Sequence, residues 1–214
     1  MNTIQSIIDS INEDFAVKSQ VRDRTLGRSR ELIGHCANAI RATHRADGEQ
    51  ALALLATAKK IADEMLAEAR QFPDIYYAGY TQDAMKELSE AYLTRALILS
   101  EAPPTPAELD AENAAYINGL AEAVGELRRY ALDALRRGDV KESERMLDLM
   151  DEIYTGLITV DFPSAITSGL RRTTDVARSI IERTRGDVTT AVRQEAMKQA
   201  LTTFEQRVQN LSDA

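Results

Sequence analysis

The sequence of 214 residues has little of what turn-rich and sheet-rich proteins need. It contains ten glycines, five prolines and no tryptophan, and only 5% of its residues are aromatic. Glycine and proline together reach about half of their average usage, which argues against sheet proteins with many turns and against collagen-like chains. Alanine, leucine, arginine and glutamate are abundant, and all four favour helix. The composition therefore predicts an all-α protein.

Cysteine and long apolar runs are scarce as well. Cys36 is the single cysteine, so an internal disulfide framework is excluded and a reducing compartment is favoured. The chain has no run of about 18 apolar residues, so we expect no membrane span. The first fifteen residues carry three acidic side chains and no basic one, unlike a signal peptide. We therefore expect a cytoplasmic protein.

Positive charge is in the minority, since 26 lysines and arginines face 34 acidic residues and the formal net charge is −8. Nucleic-acid binders are more often basic, so any nucleic-acid site must be a local patch on an acidic molecule. Arginine outnumbers lysine by twenty to six. Arginine suits bidentate phosphate contacts and buried ion pairs better than lysine. The same bias also follows from genome composition, so both explanations stay open.

The pattern of apolar residues and breaks predicts seven helices and no strand. Their approximate ranges are 3–45, 49–71, 75–100, 107 or 112 to 137, 139–159, from the break at 161–164 to 185, and 186–208. A proline-rich loop at 101–106 holds three of the five prolines. This pattern predicts a single all-α domain over residues 1–214.

The first helix is unusually long for a chain of this size. At 1.5 Å per residue it would approach roughly 60 Å, which is too long for a compact bundle. It must either break or lie along a partner chain. We favour the partner, so the sequence predicts an oligomer.

Several familiar catalytic patterns are missing. The chain has no glycine-rich phosphate loop, no dinucleotide fingerprint and no Cys-x-x-Cys pair. His35 and His44 lie nine residues apart on one helix and face opposite sides, so they are a poor metal pair. Neither histidine supplies the Glu-x-x-His pattern of ferritin-like di-iron proteins. Cys36 lacks a histidine at a useful spacing, so we expect no nucleophilic role for it.

Carboxylates at helical spacing are the remaining chemical feature. Glu87 and Glu90 lie three residues apart on the third predicted helix, with Asp83 one turn earlier. Glu122 and Glu126 lie four apart on the fourth helix. Two such helices packed against each other could aim three or four carboxylates at one point, which suits Mg²⁺ or Mn²⁺.

An acidic protein shows many such carboxylate pairs, and these glutamates lie off the apolar stripes of their helices. Spacing alone therefore favours a solvated acidic face over a metal site. One observation points the other way, since the third helix becomes apolar nearly all round beyond Glu90. A helix that is apolar on every side is buried by neighbours or by other chains.

Five segments resemble the translin/Trax family in order and spacing. Phe-Pro-Asp-Ile-Tyr-Tyr at residues 72–77 resembles the Phe-Pro and Tyr-Tyr stretch of translin. Lys-Glu-Leu-Ser-Glu-Ala at residues 86–91 is similar to the Gln-Glu-x-x-Glu-Ala segment of Trax, whose glutamates translin lacks. Residues 116–129 resemble the Trax pattern Tyr-Leu-x-Gly-Val-Ala-Asp-x-x-Gly-Glu-Leu-x-Arg. Gly-Asp at 138–139 and Tyr-Thr-Gly-Leu at 154–157 match further landmarks in register, so the resemblance covers roughly residues 21–190.

This resemblance implies an α-helical translin-like fold of seven helices that assembles into a hollow octamer. Trax-type subunits are Mg²⁺-dependent endoribonucleases that cut RNA inside the shell, whereas translin-type subunits bind nucleic acid without cutting. The Trax metal ligands fall on Glu87, Glu90 and Glu122, the last of which is aspartate in the family. Glu126 matches the glutamate of Gly-Glu-Leu and is expected to be a further ligand or to support one.

The resemblance also implies two candidate RNA-binding arginines, Arg22 and Arg129. Either could equally pair with an acidic residue between helices. The stretch after Tyr-Tyr, at residues 78–83, has no positive charge where translin is basic. RNA affinity must then come from elsewhere or be weak.

We therefore predict a metal-dependent endoribonuclease with Mg²⁺ or Mn²⁺ as cofactor, acting on RNA as a homo-oligomer of about eight subunits. Glu87, Glu90 and Glu122 are the predicted catalytic residues. Two alternatives stay open: a non-catalytic translin-like shell that binds single-stranded RNA or DNA, and a helical scaffold whose carboxylates are only a solvated face. Neither alternative requires the four glutamates to meet at one point.

Overall fold

The computed structural model describes residues 3–212, which form nine helices and no strand. The helices are α1 Ile4–His44, α2 Gly48–Ala69, α3 Pro73–Tyr76, α4 Gly79–Ile98, α5 Pro106–Leu109, α6 Asn113–Arg136, α7 Val140–Leu157, α8 Ser164–Thr167 and α9 Leu170–Ser212. The prediction of an all-α fold is therefore confirmed. Within residues 3–212, no helix is both long and apolar enough to cross a membrane.

Three long helices begin at side chains that cap the first turn. The hydroxyl of Thr3 accepts a hydrogen bond from the backbone N–H of Ser6 at the start of α1. The carboxylates of Asp47 and Asp139 accept the corresponding bonds at the starts of α2 and α7. Such caps satisfy backbone donors that the first helical turn leaves without partners. They explain why the breaks before residues 48 and 140 lie close to the predicted positions.

The division into helices differs from the seven predicted. The expected break at Gly186 is absent, because α9 continues through it as one helix of 43 residues. Glycine inside a helix costs only about 1 kcal/mol, and flanking contacts outweigh that cost here. Ile181, Thr184 and Val188 are buried on either side of Gly186. Apolar burial thus continues across the predicted break.

Two other predicted helices are each split by a short turn. The predicted helix 75–100 divides into α3 and α4, since Ala78 is extended with ψ 146°. The sixth predicted helix, from the break at 161–164 to 185, divides at Ser168 and Gly169, whose φ angles are 50° and 82°. The predicted loop 101–106 ends one residue early, because Pro106 is the first residue of α5, capped by Thr105. Proline suits that position, since the first helical N–H needs no partner inside the helix.

The chain divides into two compact units, of which the first comprises residues up to Ala123 together with Phe162–Leu170. In this unit α1 packs along α2 and α4. Its core includes the fully buried side chains of Leu32, Leu55, Met65, Met85 and Leu88. Beyond Glu90 most side chains of α4 are buried, as the all-round apolar pattern of that segment indicates.

The second unit comprises Val124–Asp161 and the chain from Arg171 onward. The buried Ser143 hydroxyl of α7 donates to the Ala131 carbonyl of α6 at 2.8 Å. Arg128 of α6 contacts Asp187 of α9 at 2.9 Å. Because the boundary between the units falls inside α6, one domain over residues 1–214 stays a prediction.

The two longest helices each carry a long exposed end. The first buried residue of α1 is Val21, so the more than four turns before it contain no buried side chain. The last buried residue of α9 is Val188, and every side chain from Ala196 to Leu211 is exposed, which is more than four turns. The first helix does not break, so the alternative that it lies along a partner gains support.

Candidate metal centre

Glu87 and Glu90 of α4 and Glu122 of α6 come together in the first unit. One carboxylate oxygen of each lies within 4.8 Å of the others. All three side chains are half-buried. Glu87 and Glu90 are neighbours because residues three apart share a helix face. The meeting with Glu122 depends on how closely α6 approaches α4.

Gly119 allows that close approach. A Cβ atom at this position would lie 2.6 Å from the carbonyl oxygen of Lys86 and 2.9 Å from the backbone nitrogen of Glu90. Any larger residue would therefore collide with the α4 backbone, which cannot rotate away as a side chain could. Glu122 lies three residues after Gly119, on the same face of α6. The glycine thus brings Glu122 within reach of the α4 carboxylates.

Substitution of Gly119 by alanine is expected to destabilise the protein by about 1–3 kcal/mol, because overpacking forces the helices apart. The matched control is Gly125→Ala on the same helix, where a Cβ atom would meet nothing within 4 Å. That variant is expected to gain about 0.5–1 kcal/mol, since glycine is unfavourable inside a helix. Urea unfolding of both variants measures the difference. Equal stabilities would contradict the role assigned to Gly119.

Lys86 adds a cation to the three carboxylates. Its Nζ lies 2.8 Å from Oε1 and 2.7 Å from Oε2 of Glu122, and 3.6 Å from Oε1 of Glu87. Burial disfavours the charge on Lys86, but the hydrogen bond to Glu122 and the charges of Glu122, Glu87 and Asp83 outweigh it and raise its pKa. Lys86 is therefore a stable ammonium at neutral pH.

The charges of the carboxylates shift the pKa of Glu87 and the pKa of the buried Cys36. Burial raises the pKa of Glu87; Lys86 opposes this rise, whereas the charges of Glu122 and Asp83 add to it. Cys36 of α1 is fully buried, and burial together with the charges of Glu87 and Glu90 raises its pKa to about 12. The thiol therefore stays protonated at neutral pH.

Glu126 and Arg129, two of the other predicted site residues, lie in the second unit. Glu126 follows Glu122 by one turn of α6, is not one of the three clustered carboxylates, and faces Arg129 at 3.8 Å. Asp83, in the first unit, is exposed and acts on the centre only through its charge. The roles of Glu126 and Arg129 stay predictions.

Arg22 lies in the first unit, on the wall of a groove of about 410 Å³. The groove is also lined by Phe15, Lys18 and Tyr80. Arg22 contacts Asp23 at 3.1 Å, but more than half of its side chain is exposed. A groove that combines a guanidinium with aromatic side chains can hold both a phosphate and a base.

Sequence reasoning missed Lys86 and Gly119. A glycine inside an otherwise helical pattern is a known sign of close packing and could have pointed to Gly119. Lys86 gives no comparable sign, because its partner Glu122 comes into reach only through the fold.

No protein family model matches the sequence. The chain is similar to an uncharacterised protein of Methanocaldococcus jannaschii, with 32% identity over 192 residues that cover 87% of this chain and 83% of that protein. It is also similar to the crystal structure of AfC3PO and to the structure of an AfC3PO–duplex RNA complex. Each has a TM-score of 0.81 and 36% identity, over 87% of this chain and 97% of the other.

Apo-NeC3PO has the same fold, with a TM-score of 0.81 over 89% of this chain and 100% of that chain, although identity is only 18%. These similarities agree with the helical architecture and with the family resemblance of the segments at residues 72–91 and 116–129. The chain belongs to the translin/C3PO family.

Proposed function

We propose that this protein is a Mg²⁺-dependent endoribonuclease that cuts RNA inside a hollow homo-oligomer of about eight subunits. The observation that carries the proposal is the meeting of Glu87, Glu90 and Glu122 at one point. Three half-buried carboxylates placed so close repel each other, so a metal cation bound among them would stabilise the arrangement. Mn²⁺ is the alternative metal, because it favours the same oxygen ligands.

The three carboxylates fit a magnesium ion in donor type and in size. Mg²⁺ binds oxygen ligands at about 2.0–2.1 Å in octahedral geometry, so two ligand oxygens can be up to about 4.2 Å apart. The observed separations of up to 4.8 Å need side-chain movements of less than about 1 Å. Mg²⁺ also keeps several waters, so three protein ligands are sufficient.

A metal ion held there would activate water and stabilise the charge that develops on a phosphodiester. The chain's own contribution is positional. Glu87 and Glu90 present oxygens from neighbouring turns of α4, and Glu122 presents one from α6, so the ligands stand on rigid elements. Their partial burial strengthens every charge interaction at the centre relative to bulk water. Glu126 is proposed to support Glu122 from the next turn of α6.

The proposal is tested with a short end-labelled RNA, incubated with the protein in Mg²⁺ or in a chelator. We expect fragments only when Mg²⁺ is present. RNA that is bound and left intact under both conditions would favour the second candidate, a non-catalytic shell for single-stranded RNA or DNA. The ion pairs of Lys86 support that alternative, since they already neutralise part of the acidic charge.

RNA as the ligand is supported by the AfC3PO–duplex RNA complex, whose protein is 36% identical to this chain. Arg22 and Arg129 are the proposed phosphate contacts. The side chains of both are more than half exposed, and Arg129 contacts Glu126 only at 3.8 Å. Exposed ion pairs of this kind contribute little to stability, so either guanidinium can turn to a phosphate at little cost.

Removal of both arginines is expected to weaken RNA binding and to reduce its dependence on salt. Each phosphate contact adds about one unit to the slope of log affinity against log salt. Arg22→Ala plus Arg129→Ala should therefore lower that slope by about two. Fluorescence anisotropy over a series of salt concentrations measures it.

The control for this experiment is Arg136→Ala. Arg136 is the most exposed arginine of those in the second unit's ion pairs, at 83%, and contacts Asp133 on its own helix. It should leave both the affinity and the slope unchanged. A double variant that behaves like this control would show that other side chains hold the RNA.

Assembly is supported by apolar stripes on the exposed helix ends. Ile4, Ile8 and Ile11 follow one face of α1 at steps of four and three, and all are exposed. The end of α9 shows the same spacing in exposed residues Met197, Leu201, Phe204, Val208 and Leu211. Such heptad spacing is typical of helices that pack against another helix. We propose that these faces are covered by other copies of the chain.

A further inference from the structure

Lys86 stands where a cation would meet Glu122 and Glu87. Its ammonium contacts both oxygens of Glu122, and only about a fifth of the side chain is exposed. The carboxylate of Glu122 is therefore engaged on both oxygens by one positive charge, and Oε1 of Glu87 lies 3.6 Å from the same nitrogen.

We propose that Lys86 is a tethered counter-ion that a divalent cation must displace, so that this side chain sets the affinity of the three carboxylates for Mg²⁺. The inference rests on the proposed metal function, which supplies the cation. It adds a residue that is not itself a ligand.

Displacement follows from the distances. A magnesium ion binds a carboxylate oxygen at about 2.0–2.1 Å, closer than the 2.7–2.8 Å of the ammonium contacts. A magnesium ion on either oxygen of Glu122 would lie beside the ammonium, and the two positive charges would repel strongly in a half-buried place. Binding of the metal therefore requires the ammonium to leave.

Asp83 offers a place for the displaced ammonium. It lies three residues before Lys86 on α4, its charge already acts on Lys86, and it is exposed. Residues three apart on a helix are within reach of each other. The lysine can thus turn towards Asp83 and solvent without becoming an unpaired buried charge.

The test is isothermal titration calorimetry of the full-length protein with MgCl₂ at constant ionic strength. Lys86→Met removes the competing charge and keeps the apolar stem, and it is expected to bind Mg²⁺ at least about tenfold more tightly than the parent. Lys86→Gln, the more conservative change, should shift affinity in the same direction. Lys86→Arg keeps the charge and should stay close to the parent.

The matched control is Lys59→Met, which removes the lysine of an ion pair with Asp63 on α2. It makes the same change in net charge away from the three glutamates, so its Mg²⁺ affinity should equal that of the parent. Thermal melting gives a second readout. Without Mg²⁺, Lys86→Met should melt at a lower temperature than Lys59→Met, because Glu122 and Glu87 lose their counter-ion, and added Mg²⁺ should close the gap.

Failure of this inference is distinguishable from failure of the metal site. A parent that binds Mg²⁺ through Glu122, as judged by loss of binding in Glu122→Gln, with no tightening in Lys86→Met or Lys86→Gln, would overturn the role of Lys86 alone. A parent and Lys86 variants that all bind no Mg²⁺ would overturn the metal site and this inference together.

Discussion

Glu90→Gln is expected to lower Mg²⁺-dependent RNA cleavage by at least about a hundredfold, which corresponds to about 2.7 kcal/mol of transition-state stabilisation. Glutamine keeps nearly the volume and hydrogen bonding of glutamate but removes the negative charge that a metal ligand supplies. Folding and assembly should be unchanged. RNA binding should persist or tighten, because one repulsion with phosphate is lost.

The same loss is expected for Glu87→Gln and Glu122→Gln. Losses in double variants should fall well short of additive, because groups that act as one unit fail together once any of them is removed. Single-turnover cleavage of a short RNA at saturating protein measures the chemical step apart from binding. A gel-shift assay in a chelator measures binding separately.

The control for this series is Glu144→Gln. Glu144 lies on α7 and is exposed. The Glu144→Gln substitution removes the same charge from another part of the chain and should leave the rate of cleavage unchanged. If all three site variants still cut RNA at the parent's rate in Mg²⁺, the glutamates are only surface charge and the proposed metal role fails.

The acidic site was partly predictable because its spacing within one helix is local. Glu87 and Glu90 lie three apart, and helix geometry alone places them on one face. The approach of Glu122 is a tertiary event, which depends on the close packing of Gly119 against the α4 backbone. Spacing could not supply that contact, so the resemblance to Trax was needed to join the two helices into one site.

The helix boundaries show a similar limit. Breaks with a capping side chain, such as Asp47 and Asp139, were predictable because the cap is local chemistry. The break predicted at Gly186 is wrong, because a glycine raises the free energy of the helix only slightly. The burial of Ile181 and Val188 outweighs that cost. Whether a lone glycine ends a helix is decided by packing on either side, which a local pattern does not contain.

Replacement of apolar residues in the exposed stripe of α1 by charge is expected to dissociate the oligomer. Ile8→Glu plus Ile11→Glu puts two carboxylates on a face that buries nothing within the chain. Burial of each isoleucine at an interface contributes about 1.5–3 kcal/mol, and in a closed assembly this loss recurs in every subunit. Multi-angle light scattering at micromolar concentration should find about eight subunits for the parent and smaller species for the variant.

The change should act on assembly and leave the fold of the subunit intact, because neither isoleucine belongs to the core. Circular dichroism of the variant should therefore retain the parent's helix content. Gln5→Glu plus Ser10→Glu adds the same charge to the same helix outside the stripe, and it should stay assembled. The matching change on α9, Leu201→Glu plus Phe204→Glu, tests the second stripe independently. If the parent is monomeric at micromolar concentration, the proposed enclosed shell is contradicted. The exposed ends of α1 and α9 would then need another partner.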